Sequence, residues 1–64
     1  MKNSLEVFRK EKNISQEALG KAVGVSRQTI ISLEKGKYNP SLELAFKLSK
    51  YFDKRIEEIF FYEE

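Results

Sequence analysis

The sequence predicts an all-α protein, a compact bundle of five short helices. Apolar residues recur at three- and four-residue spacings through most of the chain, which is the period of a helix facing a core. Serine precedes several of these runs, where its hydroxyl can cap a helix, and asparagine or glycine follows them, where a left-handed residue can end one. The 64 residues fit one domain, residues 1–64, with a small core.

The first two helices are predicted between residues 3 and 24. Asn3 or Ser4 caps the first helix, which runs to about residue 12 and ends at Asn13. Ser15 caps the second helix, and Gly24 ends it. Gly20 lies inside the second helix, where glycine costs about 1 kcal/mol relative to alanine, so we expect a close helix crossing there. The residues expected to face the core are Leu5, Phe8, Leu19, Ala22 and Val23.

The remaining three helices follow the same rules. Ser26 caps a third helix that runs to about Lys35 and stops at Gly36, and Ser41 caps a fourth. Ile56, Ile59 and Phe60 indicate one or two final helical turns. The apolar stripe expected on the fourth helix consists of Leu42, Ala45, Leu48 and Phe52.

The third helix has an unusual exposed face. At 100° per residue, Ile30 and Leu33 face the core and Glu34 lies beside them, so that its carboxylate needs a partner. A helix that is merely soluble usually carries glutamate and lysine on its outer side. Here that side is mostly uncharged and polar, and it consists of Gln28, Ile31, Ser32 and Lys35.

Charge is distributed unevenly along the chain. Residues 1–40 hold eight basic and four acidic side chains, a balance of +4, whereas residues 41–64 hold four basic and six acidic ones, a balance of −2. This asymmetry favours a protein that meets a polyanion with one end, although a mixed surface can show it by chance. The overall charge of +2 is by itself weak evidence for nucleic acid.

Several classes of function are disfavoured by what the sequence lacks. Without cysteine or histidine, it has no thiolate metal site, no disulfide and no imidazole base, so neither a metal nor a cofactor is expected. Adjacent carboxylates such as Glu57 and Glu58 do not face each other on a helix, so we do not expect an enzyme. No apolar run reaches the roughly 20 residues of a membrane span, and the chain has no signal-peptide core. We therefore expect a cytoplasmic, nucleoid-associated protein with no evident small-molecule effector.

Residues 16–35, QEALGKAVGVSRQTIISLEK, have the spacing of two helices crossing near a right angle about a tight turn. The segment resembles the helix-turn-helix of the phage-repressor and Cro-like (XRE) family, and the resemblance extends over roughly Leu5 to Phe60. It implies a five-helix domain whose third helix reads DNA, usually as a homodimer on a palindromic operator. It also implies a structural ion pair between Arg9 and Glu34.

Three residues depart from the family pattern. Gly20 replaces the usual alanine, a change that we expect to be compatible with the fold. Asp53 stands where glycine commonly ends the fourth helix, and aspartate tolerates the left-handed conformation less well. Arg55 replaces a serine that often caps the fifth helix. The last two changes leave the geometry of the C-terminal segment open.

Two sets of DNA contacts are predicted. Gln28 can bond adenine bidentately, and Arg27 can reach guanine or a phosphate. Ile31 can touch a thymine methyl, rest against the fourth helix or stay exposed. The full set of predicted base contacts is Ser26, Arg27, Gln28, Ile31 and Ser32. The predicted phosphate contacts are Gln16, Thr29, Lys35, Lys37, Tyr38 and Asn39, for which the alternatives are solvated charges and, at Tyr38, a packed ring.

The aromatic run Phe60, Phe61 and Tyr62 lies within the C-terminal stretch 56–64. Three adjacent aromatic residues cannot all face one small core, so we expect Phe60 inside and at least one of the others exposed or covered by a second copy. The three residues are therefore a candidate dimer interface, with pairing of a short terminal strand as one form. Together these features predict a sequence-specific DNA-binding regulator, a repressor acting as a homodimer. The alternative is an antitoxin or adaptor that uses this scaffold chiefly to bind another protein.

Overall fold

The computed structural model describes residues 1–62, and over that range it contains five helices and one two-stranded sheet. The helices are α1 (Leu5–Glu11), α2 (Gln16–Val23), α3 (Arg27–Glu34), α4 (Leu42–Phe52) and α5 (Ile56–Ile59). The strands are β1 (Lys2–Asn3) and β2 (Phe60–Phe61). The predicted five-helix bundle is confirmed. A short terminal strand was predicted only as a form of pairing between two copies, and here β2 pairs with β1 of the same chain.

The two strands pair antiparallel and join the two ends of the described chain. Lys2 lies opposite Phe61, Asn3 lies opposite Phe60, and the Ser4 N–H donates to the Ile59 carbonyl at 2.7 Å. The prediction that Phe60 continues the last helix is wrong, since its backbone is extended, with φ −116° and ψ 137°. Consecutive aromatic residues favour extended backbone, and β1 supplies the hydrogen-bonding partner.

Serine side chains begin the three central helices, as predicted. The hydroxyl oxygens of Ser15, Ser26 and Ser41 each accept the backbone N–H three residues later, at 3.0–3.1 Å. At α1 the two candidate caps have different roles. Ser4 occupies the cap position, while the Asn3 side-chain oxygen accepts the Leu5 N–H at 3.1 Å.

The last helix begins without a serine. Arg55 occupies the position where a capping serine is common. Its backbone N–H donates to the Glu58 carboxylate at 2.7 Å. That hydrogen bond lowers the pKa of Glu58. An acid inside the first turn of α5 therefore supplies a contact that closes the helix start.

A left-handed residue ends each of the four longer helices. Asn13, Gly24, Gly36 and Asp53 all have positive φ, between 54° and 78°. In each case the following N–H reaches back to a carbonyl five residues earlier, as from Val25 to Gly20, which is the Schellman motif. Asp53 therefore adopts the conformation that glycine commonly supplies, with φ 54°.

One face of every helix and the first residue of β2 pack together to form the core. Two predicted core residues are wrong: Ala22 is exposed, and the Leu42 side chain is 71% exposed. The buried stripe of α4 advances in four-residue steps through Leu44, Leu48 and Phe52, and Leu42 lies nearly opposite Leu44 around the helix. The buried apolar residues are Leu5, Leu19, Val23, Ile30, Leu33, Leu44, Ala45, Leu48, Phe52, Ile59 and Phe60.

Gly20 lies directly against the turn between α2 and α3. A Cβ atom at this position would lie 2.7 Å from the Val25 carbonyl oxygen and 3.3 Å from the Ser26 carbonyl. The predicted close approach is present, and glycine is compatible with the fold here, as expected, whereas a Cβ atom would be crowded on this backbone. The contacting atoms belong to the main chain, so a side chain cannot simply rotate away.

We expect Gly20→Ala to destabilise the protein by about 1 kcal/mol, and by no more than about 2 kcal/mol. The helix-propensity gain of about 1 kcal/mol is outweighed by displacement of the turn, because overpacking typically costs about 1–3 kcal/mol. Urea unfolding measures the net change. Ala18→Gly, on the exposed side of the same helix, is the control and should lose only its propensity difference. A more stable Gly20→Ala variant would show that the turn relaxes freely.

Candidate nucleic-acid interface

The first turn of α3 presents two long polar side chains to solvent. Arg27 and Gln28 are both exposed. Ser26 and Thr29 are engaged with each other, since the Thr29 N–H donates to the Ser26 hydroxyl at 3.1 Å and the two hydroxyls are hydrogen-bonded at 3.0 Å. The side chains free to reach outward from this end are therefore those of Arg27 and Gln28.

The same helix face continues to a basic loop. Ile31 and Ser32 are half-buried, and Lys35 is exposed. The loop carries exposed Lys37, Tyr38 and Asn39. Tyr38 is 42% exposed, which does not fit the packed-ring alternative. Within residues 1–62, no carboxylate forms an ion pair with Arg27, Lys35 or Lys37.

A buried ion pair fixes α3 to the rest of the bundle. The Arg9 Nε atom lies 2.6 Å from Glu34 Oε2, and Arg9 Nη2 donates to Glu34 Oε1 at 3.3 Å. The two side chains are 10% and 5% exposed. Arg9 Nη1 also donates to the Ile14 carbonyl at 2.8 Å. The predicted structural pair is present, and its hydrogen bonds to Glu34 raise the pKa of Arg9 above its ordinary value.

Gln16 is a third member of this cluster, which the sequence pattern did not reveal. Its Nε2 atom donates to Glu34 Oε1 at 3.1 Å, so one carboxylate joins α1, α2 and α3. The side chain predicted to contact phosphate is thus occupied by Glu34. The backbone N–H groups at the start of α2 remain suitable for a phosphate contact, because the first N–H groups of a helix have no partner within it.

The end of α3 is held by the N-terminal segment. The Asn3 side-chain amide donates to the Leu33 carbonyl at 2.8 Å and to the Met1 carbonyl at 3.1 Å. The Met1 ammonium donates to the Gly36 carbonyl at 3.0 Å. Sequence reasoning gave Asn3 only a capping role, since nothing in a local pattern indicates a contact 30 residues away.

The terminal aromatic residues divide between core and surface. Phe60 is 6% exposed and packs in the core, as predicted, so its inclusion in the candidate dimer interface is wrong. Phe61 is 41% exposed and Tyr62 is 80% exposed. They lie beside Met1 and Asn39, next to the loop that follows α3.

Comparison with known proteins identifies the architecture. A family model described as helix-turn-helix matches residues 5–59. The chain belongs to the helix-turn-helix family. Over 64 residues, this protein is 59% identical to an uncharacterized HTH-type transcriptional regulator of Methanocaldococcus jannaschii. The match covers 100% of this chain and 97% of that protein. The resemblance to DNA-binding phage-repressor and Cro-like regulators is confirmed.

Two solved structures share this helix-turn-helix fold. The P22 c2 repressor, crystallised with a synthetic operator, superposes with a TM-score of 0.80 at 36% identity, covering 83% of this chain and 80% of that one. The restriction-modification controller protein C.AhdI from Aeromonas hydrophila gives a TM-score of 0.77 at 34% identity, covering 88% and 85%. Within residues 1–62, no helix of this helix-turn-helix protein is long and apolar enough to span a membrane.

Proposed function

We propose that this helix-turn-helix protein is a sequence-specific DNA-binding repressor that acts as a homodimer and places α3 in the major groove. The observation that carries the proposal is the outer face of α3, where exposed Arg27 and Gln28 lead into Ile31, Ser32 and Lys35. An α-helix fits the major groove, and residues near its N-terminus reach base edges. The operator-bound P22 c2 repressor, which shares the fold, supports this role.

Gln28 and Arg27 are the proposed principal base readers. Glutamine pairs bidentately with adenine and arginine with guanine, and neither side chain is held by another residue within the described range. Ser26, Ile31 and Ser32 are shorter or less exposed, so they contact bases only when the helix lies deep in the groove. Ser26 also retains its capping bond to Thr29.

Phosphate contacts flank the recognition helix on both sides. On one side we propose the N–H groups around Gln16, where the helix dipole favours an anion. On the other side lie Lys35 and Lys37, which have no ion-pair partner among residues 1–62, with Tyr38 and Asn39 beside them. Thr29 contributes its hydroxyl from the first turn of α3. These contacts position the helix without reading sequence.

Dimerisation is proposed to cover an apolar surface beside this loop. A cleft of about 290 Å³ is lined mainly by apolar side chains, including Pro40, Leu42 and Ile56, and it shares Met1 and Asn39 with the surface around Phe61 and Tyr62. Leu42 and Tyr62 are each more than two-thirds exposed, which is costly for large apolar side chains in a monomer. To read a palindrome, the dimer must place its two copies of α3 on half-sites about 34 Å apart.

The proposal is tested by selecting bound sequences from a random pool of duplex DNA, with mass measured in the same buffer. We expect a palindromic site, a dimer mass on DNA, and an affinity that falls steeply as salt rises, because lysine and arginine release counterions from phosphates. Leu42→Ser combined with Tyr62→Ser should weaken dimerisation, and Val7→Ser, which removes another exposed apolar side chain, is the matched control.

The experiment distinguishes the absence of base readout from the absence of a dimer. If the pool yields no enriched sequence although the chain binds DNA, base readout is absent. A monomer that selects an unrepeated site would refute the dimer and the palindrome while leaving base readout intact. Repression itself is tested by placing the selected site across a promoter, where occupancy should block transcription.

A further inference from the structure

A second basic surface lies outside the DNA-binding face. Lys21 on α2, together with Lys47 and Lys50 on α4, lines a cleft of about 550 Å³, and no residue of α3 contributes to it. Gly24 also lines the cleft, and the Lys47 ammonium lies 3.9 Å from the position that a Gly24 Cβ would occupy. The three cationic side chains thus line one open cleft.

Three apolar or aromatic residues, here called the apolar floor, line the same cleft. They are Ala22, Val23 and Tyr51. Ala22 is exposed on a helix side that was predicted to face the core. The Tyr51 ring also lies 5.3 Å from the ammonium of Lys12, so a fourth cation flanks the same aromatic group.

Most of this positive charge is uncompensated. Within residues 1–62, neither Lys21 nor Lys50 forms an ion pair, and Lys47 pairs only with Glu43, at 3.3 Å on an exposed surface. Lysine heads held near one another repel, and an anion placed between them would relieve that repulsion. A mostly unneutralised group of lysines beside an apolar floor is complementary to an acidic segment that carries an apolar side chain.

We propose that the cleft between α2 and α4 binds an acidic, partly apolar peptide segment of a partner protein. Carboxylates of the partner meet Lys21, Lys47 and Lys50, and an apolar side chain rests on Ala22 and Tyr51. A DNA backbone offers charge but no apolar group for the floor, which favours a peptide over a second DNA contact. Because the cleft excludes α3, the protein can hold this partner while bound to its operator.

A designed peptide tests the proposal on the full chain without DNA. The probe is a short synthetic peptide of glutamate with leucine at every fourth position, and its controls replace every leucine by serine or every glutamate by glutamine. Binding is followed by ¹H–¹⁵N chemical shifts. We expect saturable shifts centred on Ala22, Gly24 and Tyr51, and weaker binding of both control peptides.

Two charge-reversal variants separate this surface from the DNA face. Lys21→Glu combined with Lys50→Glu should reduce peptide affinity about tenfold or more, because the change removes two attractions and adds two repulsions. Lys35→Glu combined with Lys37→Glu should leave peptide affinity within about twofold while weakening DNA binding. All four lysines are exposed, so both variants should fold.

Three results would overturn the assignment. Equal loss of peptide affinity in both variants would mean unspecific attraction to lysine. Equal binding of the serine control peptide would remove the role of the apolar floor. If the Lys21/Lys50 variant loses DNA affinity as strongly as the Lys35/Lys37 variant, the cleft is a nucleic-acid contact instead. Peptide binding is measured without DNA, so its failure is distinguishable from failure of the proposed function.

Discussion

Replacing Arg9 by alanine is expected to destabilise the protein by about 3–5 kcal/mol, because it leaves the Glu34 carboxylate buried without its counter-ion. Glu34 is 5% exposed and has both oxygens committed to the cluster. A domain of this size has roughly 3–10 kcal/mol of stability in total. Urea unfolding, or loss of circular dichroism when the variant is already unfolded in buffer, measures the change.

Two controls distinguish the buried pair from ordinary surface charge. Glu6 lies 4.0 Å from Arg9 but is 55% exposed, so Glu6→Gln should cost less than about 1 kcal/mol. Arg9→Met combined with Glu34→Met should recover much of the lost stability, because no charge remains buried. An Arg9→Ala variant as stable as the parent would show that the pair does not hold the helices together.

Replacing Gln28 by alanine is expected to weaken binding to the selected operator roughly five- to 150-fold, which corresponds to about 1–3 kcal/mol for a lost bidentate base contact. Gln28 is exposed, and within residues 1–62 its side chain has no other partner, so the fold should not change. Affinity for random duplex DNA should stay nearly constant. Fluorescence anisotropy titrations with both DNAs at one salt concentration measure the two effects.

Lys37→Ala is the matched control for that variant. A phosphate contact has no sequence preference, so its loss should weaken operator and random DNA about equally and reduce the salt slope by about one. An equal loss on both DNAs for Gln28→Ala would assign Gln28 to the backbone and leave Arg27 as the remaining principal base reader.

Local features of the fold could be predicted because each acts over a few residues. The serine caps, the left-handed Asn13 and the stop at Gly36 depend only on near neighbours, and all are present. On α4, Ala45, Leu48 and Phe52 are buried as predicted. Only Leu42 is wrong, because Leu42 and Leu44 both suit an apolar helix and packing decides which one is buried. The spacing of apolar residues along the sequence does not determine which of the two leucines is buried.

The long-range contacts of the site were harder to predict from the sequence. The Arg9–Glu34 pair was predicted from the family resemblance, and helical periodicity independently indicated that Glu34 needed a partner. The bond from Gln16 to the same carboxylate and the bond from Asn3 to Leu33 join residues 18 and 30 positions apart. Both side chains also suit local roles, so sequence alone could not distinguish the distant partner from the near one.

The pairing of β1 with β2 has a consequence for the order of folding. The helix ends are defined by residues at most five positions apart, so these parts can form early. Joining Asn3 to Phe60 instead closes almost the whole chain into one loop, which costs the most configurational entropy. The strand pair is therefore expected to form last and open first. Asn3 also donates to the Leu33 carbonyl, so opening of the strand pair would loosen the segment that supports the C-terminal end of α3.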